Sequence, residues 1–271
     1  MTTKIAFIGG GNMASAIIGG LLKQGLNSAD ILVVEPFAEA RERLTRELGV
    51  QAMEAADRRL ADARLVVWAV KPQTFRDAAA AVQAHTGSAL HLSVAAGIRS
   101  DSIAQWLGSE RVVRCMPNTP ALVGKGMTGL FARAAVTAAD REQVEQVIRT
   151  TGDLLWVAEE SQLDAVTALS GSGPAYVFYF IEAMTAAGAQ MGLSPAQAQQ
   201  LAIGTFVGAA DLARASSEPP EVLRQRVTSK GGTTYAALTS MEDSRIKEHF
   251  IVAMEKARVR AQELGDEFGA P

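Results

Sequence analysis

Residues 4–14 read KIAFIGGGNMA, an apolar run that passes directly into three glycines and then into a helical pattern. A strand that ends in G-x-G-x-x-A and opens a helix is typical of a dinucleotide-binding site, because the glycines allow a tight turn and close approach of the backbone. The free N–H groups of the helix then face the pyrophosphate. An ordinary glycine-rich turn is the alternative interpretation. The predicted contact residues are Ile8, Gly9, Gly11, Asn12 and Met13.

The first half of the chain alternates short β-branched runs with amphipathic helical patterns. Apolar strands separated by helices predict a parallel sheet covered on both faces, which is the doubly wound α/β class. The predicted strands are 4–8, 31–34, 65–70, 90–94, 112–115 and 153–157, and the first helices are 13–24, 37–48 and 74–83.

After the last predicted strand the composition changes to long alanine-rich helical patterns. We therefore predict a Rossmann-type dinucleotide-binding domain at 1–160 and an all-helical domain at 161–271. With so much alanine and glycine, the helical domain has a thin predicted core for its size, which dimerisation through its helices would resolve. Its predicted helices are 163–169, 174–191, 195–215, 234–241 and 243–264.

Charge and cysteine content exclude several classes of protein. The chain has 271 residues and a formal net charge of −3, without a block rich in lysine and arginine, so we expect binding to neither nucleic acid nor an anionic membrane surface. The single cysteine, Cys115, cannot form an internal disulfide, and no apolar signal segment begins the sequence. We therefore predict a cytoplasmic protein. The apolar stretch 174–193 is interrupted by Glu182, Gln190 and two glycines, so it predicts a core helix and not a membrane span.

Further candidate residues follow the predicted strands, at the edge where open parallel sheets place their ligands. Glu35 ends the second strand, and a carboxylate there binds an unphosphorylated ribose and repels a ribose phosphate, which taken alone argues for NAD. Arg41 and Arg43 lie close enough in sequence to compensate, although the solvated face of a helix explains them equally well. The remaining predicted cofactor contacts are Ala69, Val70, Lys71, Pro72, Ala95, Ala96, Gly97 and Asn118.

Other reactive side chains have ordinary explanations. A lysine beside a proline turn is usually solvated, so we assign Lys71 no part in the chemistry. Cys115 has no evident partner histidine and is interpreted as a buried apolar residue. The three histidines and the carboxylates show no metal-ligand spacing, and no metal is expected.

A second glycine-rich loop, SKGGTT at 229–234, precedes another helical pattern. Glycines followed by a helix start form a nest of unpaired N–H donors, which suits a small carboxylate. Because the first loop has the same chemistry, one chain carries two predicted anion sites. A dinucleotide site paired with a carboxylate site indicates a reductase.

Six segments of the chain together resemble pyrroline-5-carboxylate reductase, and they span nearly the whole sequence. The segments at 164–176 and 231–234 are highly specific, whereas many dehydrogenases share the glycine-rich turn. The six read GGGNMA (9–14), VKP (70–72), SVAAG (93–97), MPNTP (116–120), DAVTALSGSGPAY (164–176) and GGTT (231–234).

The resemblance implies reduction of 1-pyrroline-5-carboxylate to L-proline, the last step of proline biosynthesis, with NADPH as the expected cofactor and NADH as the alternative. It also implies a helical domain that forms an intertwined homodimer, often arranged further into a decamer. Backbone N–H groups at 232–234 would bind the substrate carboxylate, and the Thr234 hydroxyl, the implied catalytic group, would reach the ring nitrogen. Glu218 matches an acidic family position only loosely. The implied substrate residues are Glu218, Gly231, Gly232, Thr233 and Thr234.

The sequence departs from the family at Lys230, where a proline is usual. We hypothesise that Lys230 adds a cation near the carboxylate, and a lysine that points to solvent is an equal alternative. An unchanged substrate KM in Lys230→Pro would exclude the electrostatic role.

Rival interpretations share the same fold class. A β-hydroxyacid dehydrogenase of similar build uses a lysine on its interdomain helix, and residues 176–191 contain none. A related cyclic-imine reductase differs only in its substrate. A dinucleotide-sensing protein without turnover would need neither Thr234 nor the second anion nest, although fold alone does not exclude it.

Overall fold

Eight strands form one sheet in the computed structural model, which describes residues 4–269. In chain order they are β1 (Lys4–Ile8), β2 (Ile31–Val34), β3 (Ala52–Met53), β4 (Ala63–Trp68), β5 (Leu90–Ser93), β6 (Val112–Met116), β7 (Gly126–Ala132) and β8 (Gly152–Trp156). Across the sheet their order is β3-β2-β1-β4-β5-β6-β7-β8. The order reverses beside β1, and ligands of doubly wound folds bind at such a switch point.

Eleven α-helices accompany the sheet in residues 4–269. They are α1 (Asn12–Lys23), α2 (Ala38–Leu48), α3 (Pro72–Val82), α4 (Ser100–Leu107), α5 (Ala138–Ile148), α6 (Gln162–Val166), α7 (Gly173–Gln190), α8 (Pro195–Ala215), α9 (Pro220–Arg226), α10 (Thr233–Asp243) and α11 (Ile246–Gly269).

Helices cover the sheet on both faces, which confirms the predicted fold class. Successive residues of a strand point to opposite faces. Phe7 accordingly packs in one apolar cluster with Ile17 of α1 and Val147 of α5. Its neighbour Ala6 packs in a second cluster with Phe75 of α3.

The strands do not all run in the predicted direction. β1 to β6 are parallel to one another, but β7 pairs antiparallel with β6, and β8 pairs parallel with β7. β7 was absent from the predicted strands because glycine lowers strand propensity, and it contains Gly126 and Gly129. Both glycines have a packing reason: a Cβ on Gly129 would lie 2.7 Å from Cγ1 of Val166, and one on Gly126 would lie 2.9 Å from the carbonyl oxygen of Thr151.

The described chain separates into two compact units. One comprises residues 4–172 with 257–269, and the other comprises residues 173–256. The segment after residue 160 packs in the first unit, where Asp164 accepts two hydrogen bonds of 3.0 Å from Arg99. The domain boundary after residue 160 stays a prediction, and the outer ends of the two predicted domains, residues 1–3 and 270–271, lie outside the described residues.

The second unit has almost no core of its own. Within residues 173–256, all of which are described, only Gly188, Ala198 and Ala202 are buried. Large apolar side chains remain open instead, such as Phe178, which is 64% exposed, and Leu201, which is 58% exposed. Three small residues bury far too little apolar surface to offset the conformational entropy of the ordered helices.

One buried histidine gives the fold a dependence on pH. His91 on β5 is 1% exposed, and its Nδ1 accepts a hydrogen bond of 3.1 Å from Nε1–H of Trp68. Burial, together with the nearby cation of Arg111, lowers the pKa of His91 from 6.5 to about 4. The imidazole is therefore neutral in the folded protein down to acidic pH.

We expect the free energy of unfolding to fall as the pH drops from 6.5 towards 4, because the unfolded chain then binds a proton at His91 that the folded chain does not. The free energy of unfolding should change by about 1.4 kcal/mol per pH unit and by about 3 kcal/mol in total over this range. Above about pH 7 this group should add no pH dependence. Urea unfolding at a series of pH values measures it. His91→Asn, which does not titrate, should remove this component, with His249→Asn at an exposed position as the control. An unchanged pH dependence in His91→Asn would contradict this origin.

Candidate active site

The carboxyl ends of the central strands bring the predicted cofactor residues together. The hydrogen-bond ladder continues beyond the strands: the N–H of Gly9 donates to Val34 O at 2.8 Å, and the N–H of Ala69 donates to Ile8 O at 2.8 Å. Ile8, Gly9 and Ala69 thus lie side by side at the point where the strand order reverses. This is the edge at which doubly wound sheets bind dinucleotides.

Gly9 has a conformation and surroundings that require glycine. Its φ of +99° lies in a region that L side chains rarely adopt, and a Cβ would approach the carbonyl oxygen of Ala69 to 2.5 Å. The chain can therefore turn directly from β1 into α1 only with glycine at this position.

The start of α1 fits a pyrophosphate. Its N-cap is Gly11, so no side chain caps the free N–H groups of the first turn. A Cβ on Gly11 would meet no atom within 4 Å, which shows open space beside the backbone. Asn12 is exposed and Met13 is half-buried, whereas Ala14 is fully buried against the sheet and allows close packing of the helix. The uncapped donors and the positive end of the helix dipole suit an anion.

Glu35 is a buried carboxylate at the same edge. The residue is 6% exposed and follows β2 directly. Its Oε2 accepts a hydrogen bond of 2.7 Å from Gly10 N–H, and its Oε1 accepts one of 2.9 Å from Phe37 N–H. Gly10 thereby links the glycine-rich turn to Glu35, a role that the sequence pattern did not reveal.

Two arginines on α2 bind the backbone on either side of this carboxylate in the chain. Arg43 donates to the carbonyl oxygen of Gly10 at 2.9 Å, and Arg41 donates to the carbonyl oxygens of Glu35 and Pro36 at 3.0 and 2.6 Å. Arg41 also pairs with Glu54 at 3.6 Å. Both guanidinium groups therefore bind the loop backbone, a contact that neither sequence interpretation, charge compensation or a solvated helix face, included.

The next strand ends supply further predicted residues. Pro72 occupies the first turn of α3, and Lys71 is its exposed N-cap, so β4 ends at Trp68 and not at the predicted residue 70. Val70, which lies between the end of β4 and Lys71, is half-buried.

Beyond β5, Ala95 is buried and Ala96 is exposed. Gly97 has a φ of +73°, and a Cβ there would approach Cδ2 of Phe268 to 3.1 Å. The end of α11 therefore packs against this loop, a contact that the sequence did not predict.

Asn118 is held by the protein itself. Its side-chain nitrogen donates to Ser170 O at 3.2 Å and to Ser170 Oγ at 3.1 Å, and its Oδ1 accepts from Met127 N–H at 2.9 Å. Ser170 lies in a π-helical turn, Thr167–Gly171. The Asn118 side chain thus fixes the loop after β6 to this turn.

The second glycine-rich loop is an uncapped helix start in the second unit. Gly232 is the N-cap of α10 and provides no side-chain cap. Gly231 has a φ of +73° with no atom within 4 Å of a Cβ position, so the loop is open there. The N–H of Gly232 already donates to Ser229 O at 3.0 Å, which leaves the first-turn donors of Thr233 and Thr234 for a ligand.

Two charged residues near this loop are placed as follows. Lys230 is exposed. Glu218 is half-buried and pairs with Arg226, the last residue of α9, at 2.6 Å. The sequence prediction did not include α9 or this ion pair.

Two observations on the described residues concern the cysteine and groups of potential metal ligands. Cys115 is buried on β6, and burial raises the pKa of its thiol well above the usual range. Residues 4–269 contain no group of three or more histidine, cysteine, aspartate or glutamate side chains placed to hold a metal ion. Across the same residues, no helix is both long and apolar enough to cross a bilayer.

Comparison with known families matches both parts of the chain. A family profile described as pyrroline-5-carboxylate reductase dimerisation matches residues 160–264. A second profile, NADP oxidoreductase coenzyme F420-dependent, matches residues 4–97.

Curated relatives and solved structures agree with the profiles. The pyrroline-5-carboxylate reductase of Pseudomonas aeruginosa is 45% identical over 270 residues, which are 99% of each chain. A pyrroline-5-carboxylate reductase structure from Coxiella burnetii superposes with a TM-score of 0.90 at 38% identity, covering 97% of this chain and 99% of that one. The Plasmodium falciparum pyrroline carboxylate reductase, solved with NADP bound, gives a TM-score of 0.86 at 28% identity, covering 97% and 98%. The chain therefore belongs to the pyrroline-5-carboxylate reductase family.

Proposed function

We propose that this chain reduces 1-pyrroline-5-carboxylate to L-proline with a hydride from a reduced nicotinamide dinucleotide. The observation that carries the proposal is the pair of helix starts with glycine N-caps, Gly11 on α1 and Gly232 on α10, neither of which has a side-chain cap. One suits a pyrophosphate and the other a carboxylate. Family membership selects the substrate among small cyclic imines that carry a carboxylate.

The loop at 231–234 binds the substrate. The first-turn N–H groups of Thr233 and Thr234 donate to its carboxylate, and the positive φ of Gly231 lets the chain turn into α10 without a side chain in the way. Glu218, paired with Arg226, contributes to the same site. The carboxylate is thus held mainly by backbone donors and the helix dipole.

Thr234 carries the one side-chain contact to the reacting part of the substrate. Its hydroxyl can donate to the imine nitrogen or accept from the product amine. A protonated imine already attracts hydride at its carbon, so no strong acid is needed. The contribution of the protein is chiefly orientation and electrostatics.

The dinucleotide supplies the hydride when it is bound. The chain holds its pyrophosphate at Gly9, Gly11 and the first turn of α1, and its adenosine beside Glu35. The loops after β4, β5 and β6 line the nicotinamide half. The remaining residues of this cofactor surface are Ile8, Asn12, Met13, Ala69, Val70, Lys71, Pro72, Ala95, Ala96, Gly97 and Asn118. The family resemblance favours NADPH, with NADH as the alternative.

Analysis of the product tests this proposal. Purified protein incubated with 1-pyrroline-5-carboxylate and either NADPH or NADH should form L-proline in amounts equal to the cofactor oxidised. Cofactor binding without proline formation would reject the proposed substrate in favour of another imine or a sensing role.

We further propose that residues 161–271 dimerise and that the assembly works in the cytoplasm, either as a dimer or as a decamer built from such dimers. The nearly absent core of the second unit supports dimerisation, because a second copy would cover side chains such as Phe178 and Leu201. The free thiol of Cys115 is compatible with a reducing compartment.

Leu201→Asp on α8 is expected to dissociate the dimer, since an isologous interface buries each residue twice. The free energy of dimerisation should weaken by about 4 kcal/mol, which raises the dissociation constant of the dimer about a thousandfold. Light scattering coupled to size exclusion measures it. Leu155→Asp on β8, at a position 42% exposed, is the control and should leave the mass unchanged. A Leu201→Asp variant that keeps the mass of the native assembly would contradict an interface at this face.

A further inference from the structure

The Glu35 carboxylate lies where the adenosine ribose of a dinucleotide is expected. Glu35 follows β2, the neighbour of β1, and it binds Gly10 of the glycine-rich turn. In doubly wound folds an acidic side chain at the end of this strand accepts hydrogen bonds from the ribose hydroxyls. Position alone does not determine how Glu35 affects the binding of a ribose phosphate. That effect depends on whether the carboxylate can move away from the phosphate.

This carboxylate is held in place. Its two oxygens accept hydrogen bonds of 2.7 Å from Gly10 N–H and 2.9 Å from Phe37 N–H, and the residue is 6% exposed. A carboxylate oxygen has two acceptor positions, so each can still take one hydroxyl proton. Rotation that would make room for a phosphate breaks both bonds, one of which is to the turn that binds the pyrophosphate.

The flanking arginines do not neutralise this group through the contacts that the structure describes. Arg43 donates to Gly10 O, and Arg41 donates to the Glu35 and Pro36 carbonyl oxygens. An arginine that recognises a ribose phosphate needs its planar fork free to bind two phosphate oxygens. Here the guanidinium groups of Arg41 and Arg43 already use some of their N–H donors to bind the backbone of the loops at Glu35 and Gly10.

A second feature marks the same place as an adenosine subsite. Phe37 is 72% exposed, although its N–H is fixed to Glu35. An exposed aromatic ring two residues from the predicted ribose acceptor offers an apolar surface for the adenine. The arrangement can therefore bind the adenine base and a ribose with two free hydroxyls. It also places a fixed negative charge where a ribose 2′-phosphate would lie.

We propose that Glu35 makes this enzyme select NADH over NADPH. The inference rests on the proposed function and deepens it, since it names which dinucleotide the first unit prefers: NADH, the alternative above, and not the NADPH that the family resemblance favours. The relative in Plasmodium falciparum was solved with NADP bound.

Equilibrium binding of NADH and NADPH, followed by calorimetry without substrate, tests the proposal in the wild type, Glu35→Ser and Glu35→Gln. Wild type should bind NADH at least about tenfold more tightly, because like charges brought together weaken binding strongly. Glu35→Ser should tighten NADPH at least about tenfold and weaken NADH several-fold. Glu35→Gln keeps an acceptor for one N–H group and removes only the charge, so it tests the electrostatic part if Glu35→Ser folds poorly. Glu39→Ser, an exposed glutamate in the first turn of α2, is the control.

The outcomes separate this proposal from the proposed function. A wild type that prefers NADPH, or a ratio that neither Glu35 variant changes, overturns the role of Glu35 even if proline is formed. The expected ratios without proline formation support Glu35 as the selector and reject the substrate. Failure of wild type to bind either dinucleotide overturns both.

Discussion

Thr234→Val is expected to lower kcat about a hundredfold, because it removes the hydroxyl proposed to contact the nitrogen of the reacting imine while keeping the shape of the side chain. The carboxylate would still be held by backbone N–H groups at the start of α10, so the substrate KM should change only a few-fold. The proposed dinucleotide site lies in the first unit, so the dissociation constant of the dinucleotide should not change. Initial rates across substrate concentrations measure kcat and KM separately.

Thr234→Ser is the matched variant, since it keeps the hydroxyl and loses only a methyl group. It should retain most of the native kcat. If Thr234→Val turned over as fast as the wild type, the hydroxyl would have no part in the reaction. A large rise in KM with kcat unchanged would place Thr234 in binding alone.

Gly11→Asp is expected to raise the stability of the protein and abolish dinucleotide binding. Gly11 is the N-cap of α1 with φ −72° and ψ −171°, a conformation that suits aspartate, and a Cβ there meets no atom within 4 Å. An aspartate would cap the first-turn N–H groups and stabilise the helix by about 0.5 kcal/mol or less relative to glycine. The same side chain would occupy the donors for the pyrophosphate and add a like charge, weakening binding by about a hundredfold or more.

Thermal unfolding and dinucleotide titration of the same samples measure the two opposite effects. Gly11→Asn separates capping from charge, because asparagine caps equally well without a negative charge, and it should weaken binding less. Gly87→Asp, at an exposed glycine that also has open space, is the control for an added aspartate. Unchanged dinucleotide affinity in Gly11→Asp would mean that α1 does not bind the pyrophosphate.

Local sequence patterns predicted the parts of the fold that depend on local chemistry. β1 and β2 have the predicted bounds, and α1 begins one residue before its predicted start. Gly9 and Gly231 both adopt positive φ angles, as glycine in a tight turn allows. The candidate anion sites could be found because a glycine-rich turn before a helix is a short-range pattern.

Tertiary contacts determine the remainder, and they leave no short-range pattern. The glycines of β7 are explained by neighbours distant in sequence, as with Gly129 and Val166. The bond from Gly10 N–H to Glu35 joins residues 25 positions apart, and that from Arg99 to Asp164 joins residues 65 apart. No periodicity in a single sequence reports such pairs.

Transfer of deuterium tests the central claim most directly. Dinucleotide that carries deuterium at the transferable nicotinamide position is incubated with the protein and 1-pyrroline-5-carboxylate, and the product is analysed by mass spectrometry and NMR. Direct hydride transfer to the imine carbon predicts L-proline with a single deuterium, located on the ring carbon bonded to nitrogen and remote from the carboxylate. Proline without the label, or no proline at all, would contradict the account.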